Sequence, residues 1–191
     1  DFPGRDKLIH SIDAAVRQDG EDAIADALRD ALCRMIRDPE VRLPDIVYCA
    51  ETDHYARREL HQSPELGYSV VAMTWGPGQG TPVHDHDGLW CVEGVWHGQL
   101  EITQYEYLGE EGGPGGAPCC RLRPVGSINA GLGSAGSLIP PHEYHAIRNP
   151  SDDAVAVSLH IYKRPIRQCS VFEPLGEQRY RRGERRLSTD A

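Results

Sequence analysis

The sequence predicts an all-β domain, an antiparallel barrel or sandwich, with α-helices at its amino-terminal end. Three observations predict it. Apolar residues recur at helical spacing only between about Lys7 and Leu43, and from Tyr68 onward short runs of strand texture take over. The 20 glycines and 14 prolines lie mostly between those runs, as the turns of a many-stranded fold require. A chain of 191 residues buries one good core and is most simply one domain.

Each element follows from the local pattern. Leu8, Ile9, Ile12, Ala15 and Val16 form one apolar stripe, and Ile24, Ala27, Leu28, Leu32 and Ile36 form another, so two amphipathic helices are expected. Asp38-Pro39-Glu40 ends the second, and Leu43-Pro44-Asp45 opens a turn with a short helix that runs to about Tyr55. Strands are expected at Tyr68–Trp75, Leu89–Trp96, Gln99–Tyr107, Cys120–Arg123, Ser137–Ile139, His145–Arg148, Ala154–Tyr162 and Cys169–Phe172. The glycine-rich stretch from Gly109 to Pro118 predicts a mobile hairpin loop. From Gly176 to Ala191 the arginines Arg179, Arg181, Arg182, Arg185 and Arg186 predict a solvated charge run, with an anion-binding or partner-binding tail as the alternative. The expected layout is a helical segment over residues 1–55, a barrel over 56–175 and a basic tail over 176–191.

Charge narrows the function. Lys plus Arg number 20 against 29 Asp plus Glu, a formal charge of −9, which argues against nucleic-acid partners and a polybasic membrane surface. No apolar run approaches the roughly 20 residues of a membrane span, and the first residues lack a signal-peptide pattern. The six cysteines are too irregular for a disulfide scaffold, so reduced thiols are expected. The expectation is a cytoplasmic protein, monomeric or weakly self-associating, with a small-molecule partner.

Chemistry concentrates in Gly78-Gln79-Gly80-Thr81-Pro82-Val83-His84-Asp85-His86 and, downstream, in His145-Ala146-Ile147-Arg148-Asn149. On a strand, side chains two apart share a face, so His84 and His86 can address one ion while Asp85 turns away. Three neutral imidazoles suit iron, zinc, copper or nickel and leave open positions. A lone His-x-His is also compatible with two surface imidazoles; the glycine frame and His145 favour ligation. Ser158, His160 and Tyr162 share one strand face, opposite Val155, Val157, Leu159 and Ile161, and one of these faces must line the barrel. His142 competes with His145 for the ligand role but occupies a turn, whereas His54, His61 and His97 read as surface or packing residues. Trp75 and Trp90 read as core or pocket wall.

Gly78, His84, His86 and Gly98 resemble the first signature of the cupin superfamily, and His145 with Asn149 resembles the second. Where cupins carry a glutamate this chain has Cys91, and that departure is similar to the cysteine dioxygenase family. Further matches are Tyr55-Ala56-Arg57, Trp75-Gly76-Pro77-Gly78 and Ser158-Leu159-His160-Ile161-Tyr162, so the resemblance covers roughly residues 50 to 165. It implies a cupin barrel (double-stranded β-helix or jelly roll) with Fe(II) held by His84, His86 and His145. It implies a thiol dioxygenase that adds both atoms of O2 to cysteine sulfur, giving cysteine sulfinic acid. By resemblance Ser158, His160 and Tyr162 form a relay, Cys91 is either joined to Tyr162 by a thioether or a buried free thiol, and Arg57 reads the substrate carboxylate. Arg58 competes with Arg57 for that role, the alternative being a surface arginine, while Arg164 and Arg167 are candidates for a second anchor. The alternatives are 3-mercaptopropionate or mercaptosuccinate as the thiol, and a metal-binding cupin that senses or binds without turnover.

Overall fold

Two helices form where the apolar stripes lie, α1 over Arg5–Val16 and α2 over Glu21–Ile36. The computed structural model describes residues 1–191, apart from the side chain of Pro114. Glu21 and Asp22 in the first turn of α2 and Arg34 in its last match the helix dipole. Asp38-Pro39 stops the helix, and a single 3-10 turn at Asp45–Tyr48 carries the chain to the sheets.

Eleven strands follow: β1 (Ala56–Gln62), β2 (Ser69–Trp75), β3 (Val83–His84), β4 (Cys91–His97), β5 (Leu100–Gly112), β6 (Pro118–Ala130), β7 (Ala135–Leu138), β8 (His145–Arg148), β9 (Ala156–Tyr162), β10 (Gln168–Gly176) and β11 (Arg179–Arg186). One sheet runs β1-β2-β9-β4-β7; the other, β10-β11-β6-β5-β8-β3, closes on itself where β3 pairs with β10. All pairings between these strands are antiparallel. This is the expected all-β barrel architecture with amino-terminal helices.

The first sheet is covered on both faces, which explains why every residue of β2 and β9 is buried. Leu8, Ile12, Leu28 and Leu32 of the helices pack on Val70, Ala72, Val157, Leu159 and Ile161. The opposite face, with Met73, Trp75, Cys91, Val95 and Tyr162, turns into the barrel. Ser158 and His160 lie on that inward face, so the polar stripe of β9 lines the interior while its apolar stripe sits under the helices.

Three stretches depart from expectation. Residues 56–62 form a strand, paired with β2, where none was anticipated. The glycine-rich stretch is a hairpin connection, but Gly109–Gly112 and Pro118 belong to paired strands, and β5 and β6 are each 13 residues long. Residues 179–186, read as a solvated run, are largely exposed yet form β11, which pairs with β10 and β6.

Two glycines meet conditions that other residues do not. Gly98 turns β4 into β5 at φ +71°, in the left-handed region. A Cβ on Gly80 would lie 2.7 Å from the Ile147 carbonyl, so only glycine lets the histidine-bearing segment cross β8 this closely.

Candidate metal centre

His84 stands on β3 and pairs directly with His145, the first residue of β8; the next turn carries His86. The loop is pinned from three sides. Asp85 points away from the imidazoles and accepts the Ser170 N–H at 2.8 Å, while its own N–H bonds the Ser170 carbonyl at 3.1 Å. Buried Glu143 accepts the His86 N–H at 3.2 Å. Asn149 holds β8 to the end of β2, its amide reaching the carbonyls of Trp75 and Gly76 at 2.9 and 3.1 Å.

The three imidazoles converge. Their ring centroids are 4.6 to 5.1 Å apart, and the Nε2 atoms of His84 and His145 are 3.1 Å from one another. His84 donates its Nδ1–H to the Pro82 carbonyl at 3.0 Å, which leaves the Nε2 lone pair facing inward. Burial lowers the pKa of His84 and pushes those of His86 and His145 well below 6.5. One potential ligand atom from each ring lies within 4.8 Å of the others. Neutral, buried, converging nitrogens fit a divalent transition ion.

Beside the histidines lies a cavity of about 30 Å³, walled by Tyr55, Arg57, Trp75, Tyr162, Cys169 and Leu187 among others. Arg57 is buried, with its Nη1 donating to the Ser188 carbonyl at 2.9 Å and its Nε without a partner. Arg58, equally buried, bonds Thr74 and Glu51 at 3.1 Å and does not line this cavity. Arg164 and Arg167 are exposed outside it; Arg185 of β11 is the second arginine on its wall. His142 is exposed on the turn before β8 and outside the histidine cluster.

Cys91 and Tyr162 are direct cross-strand partners on β4 and β9. Burial raises the pKa of both groups well above their ordinary values, so thiol and phenol are neutral near pH 7. The anticipated Ser158-His160-Tyr162 relay is made only in its first half. Trp75 donates to the Ser158 hydroxyl at 2.9 Å, and Ser158 meets His160 Nε2 at 2.8 Å. Indole is a donor only, so the Ser158 proton is free to point to His160, whose Nδ1 then carries hydrogen. That nitrogen faces Glu93, 3.2 Å away, while the His160 and Tyr162 rings stack with centroids 6.1 Å apart.

Glu93 is the residue that sequence reasoning overlooked. It lies two positions after Cys91 on the same inward face of β4, and a single acid in the run from Leu89 to Trp96 is its only signal. Burial raises its carboxyl pKa to about 8. It sits at the back of a second, mainly apolar cavity of about 220 Å³ that reaches His145, Ser158 and His160 from the side away from Arg57.

Residues 47–174 match the family model described as Cysteine dioxygenase type I. The chain is 28% identical over 129 residues to "Cysteine dioxygenase type 1" of Danio rerio, and 25% identical over 128 residues to the Homo sapiens protein of the same name. Each match covers 65% of this chain and 59% of the relative's length. Among solved structures, the chain resembles a conserved double-stranded β-helix protein of Klebsiella pneumoniae, at 15% identity with a TM-score of 0.46, covering 65% of this chain and 84% of that one. Among the described residues, no helix is long and apolar enough to cross a membrane.

Proposed function

Since the chain belongs to the cysteine dioxygenase type I family, we propose that it is an Fe(II)-dependent thiol dioxygenase that converts cysteine and dioxygen to cysteine sulfinic acid. The observation that carries this reading is three neutral imidazoles, two buried and one half-buried, converging beside a cavity that also contains a buried guanidinium. The reaction balances without an external reductant, because the thiol gains both oxygen atoms and keeps one proton on the product acid. Bound to His84, His86 and His145, Fe(II) supplies the positive charge that favours a thiolate and the redox capacity that dioxygen needs.

The chain's own residues supply the rest. Arg57 holds the substrate carboxylate by charge-assisted bonds, with its unpartnered Nε available for one of them. Tyr162 places its hydroxyl beside the reacting sulfur, fixed by contact with Cys91 across the strand pair. Trp75 and Ser158 hold His160 in one orientation within the wall, and Leu187 helps to exclude water.

The test is anaerobic loading with Fe(II), then oxygen uptake with cysteine, 3-mercaptopropionate and mercaptosuccinate in parallel. Uptake matched by cysteine sulfinate is expected. Faster turnover of another thiol reassigns the substrate, and no uptake with any thiol despite bound iron overturns the dioxygenase reading.

A further inference from the structure

His145 offers Nε2 to the metal centre, where it faces His84 Nε2 at 3.1 Å. A neutral imidazole that ligates through Nε2 carries its hydrogen on Nδ1. That Nδ1 is buried and has no hydrogen-bond partner. Glu93 Oε1 stands 3.7 Å from it, and the other oxygen, Oε2, is likewise buried and without a hydrogen-bond partner. A buried N–H left alone inside an apolar wall is costly, and Glu93 places a carboxyl oxygen beside this one. The carboxyl group lies behind the His145 ring, at the nitrogen opposite the one that faces the other histidines, so it is placed to orient the ring rather than to join the ligand set.

We infer that Glu93 is a positioning residue of the metal centre, accepting the Nδ1–H of His145 and thereby fixing which nitrogen that ring presents to the ion. The inference rests on the metal centre proposed above. Geometry carries it in either charge state, because a carboxylate, a carboxylic acid and a primary amide all offer an acceptor oxygen at this point. A closing movement of under about 1 Å brings the pair from 3.7 Å to an ordinary N–H···O distance. Carboxylate–histidine–metal contacts of this kind fix ring orientation and raise ligand basicity. Glu93 Oε2 is also 3.2 Å from His160 Nδ1, so one side chain contacts both a metal ligand and the Trp75-Ser158-His160 chain.

The experiment compares wild-type protein, Glu93→Gln and Glu93→Leu. Zn(II) affinity is measured by competition with a chromophoric chelator, and the visible spectrum is recorded with Co(II). Glu93→Gln keeps the acceptor and is expected to retain wild-type affinity and spectrum. Glu93→Leu is expected to bind Zn(II) about 10- to 100-fold more weakly, with an altered Co(II) spectrum. Leucine suits the apolar wall; should that variant nevertheless fail to fold, Glu93→Met, of similar length and without an acceptor oxygen, makes the same comparison. Wild-type affinity and spectrum in the leucine or methionine variant overturn the inference. Wild-type protein that binds neither ion overturns the metal-centre reading itself and the inference with it, and so is distinguishable from failure of the inference alone.

Discussion

An imidazole binds a metal only through a free lone pair, and here burial holds His84, His86 and His145 neutral while the strand register brings them together. His86→Ala removes one of three ligands and is expected to abolish metal retention, read as metal content after gel filtration against a mild chelator. Arg57→Ala is expected to raise the KM for cysteine more than it lowers kcat. Losing a bond to a charged group, about 1.5–3 kcal/mol, corresponds to roughly a ten- to hundredfold change; an unchanged KM reassigns the carboxylate to another group, with Arg185 the next candidate on the cavity wall. The histidines were legible in the sequence because their spacing is local. Glu93 was not, because a single acid in an apolar run looks the same whether it meets solvent or a histidine from another strand. The choice between Arg57 and Arg58 was equally closed to sequence, since strand alternation separates two adjacent arginines but does not say which one faces the cavity.

At the scale of elements, the centre depends on close backbone approach. The segment before His84 is tied to β8 by the Thr81 N–H to the Ile147 carbonyl at 2.8 Å and by the Asn149 N–H to the Gln79 carbonyl at 2.8 Å. Gly80→Ala puts a methyl against the Ile147 carbonyl, and a destabilisation of about 1–3 kcal/mol is expected from overpacking. Urea unfolding checks this, and metal affinity should fall along with the midpoint. Helix α2 packs through its apolar stripe: Leu28 is fully buried beneath it, and Leu28→Ala is expected to cost about 2–5 kcal/mol. Both helices and most inner strands were readable because they carry a periodic apolar face. β1 and β11 were not. Arg57, Arg58, Glu59 and His61 fill β1, and arginines dominate β11, so neither shows such a face; backbone pairing holds them, to the next strand of a hairpin in both cases and, for β11, also to the distant β6.

At the scale of the molecule, the chain's last residues return across the site. Leu187 reaches the cavity wall, Ser188 accepts from Arg57, and Asp190 bonds the Arg57 backbone in both directions, at 2.8 Å through its carboxylate and 2.6 Å through its own N–H. His54 links to Asp190 at 2.8 Å and also bonds Asp53. Those bonds raise the His54 pKa above 6.5, so its contribution to the strap is complete below pH 6.5 and is lost as pH rises through the folded-state value. Burial alone would raise the Asp190 pKa, but bonds from the Arg57 N–H and His54 outweigh it and hold it below 3.8; that contribution is lost as pH falls through the lowered value. Hydrogen exchange at residues 187–190, corrected for intrinsic rate, is therefore expected to be slowest between these two limits. His54→Ala should remove the alkaline limb of that profile. The central claim is that this strapped barrel delivers dioxygen to a thiol at the three-histidine centre. It is tested most directly by a turnover of the Fe(II)-loaded protein with cysteine under ¹⁸O-labelled dioxygen, with the product weighed by mass spectrometry. Cysteine sulfinate carrying both labelled atoms is the predicted result; sulfinate with one label, or labelled oxygen released as peroxide while cysteine becomes cystine, contradicts it.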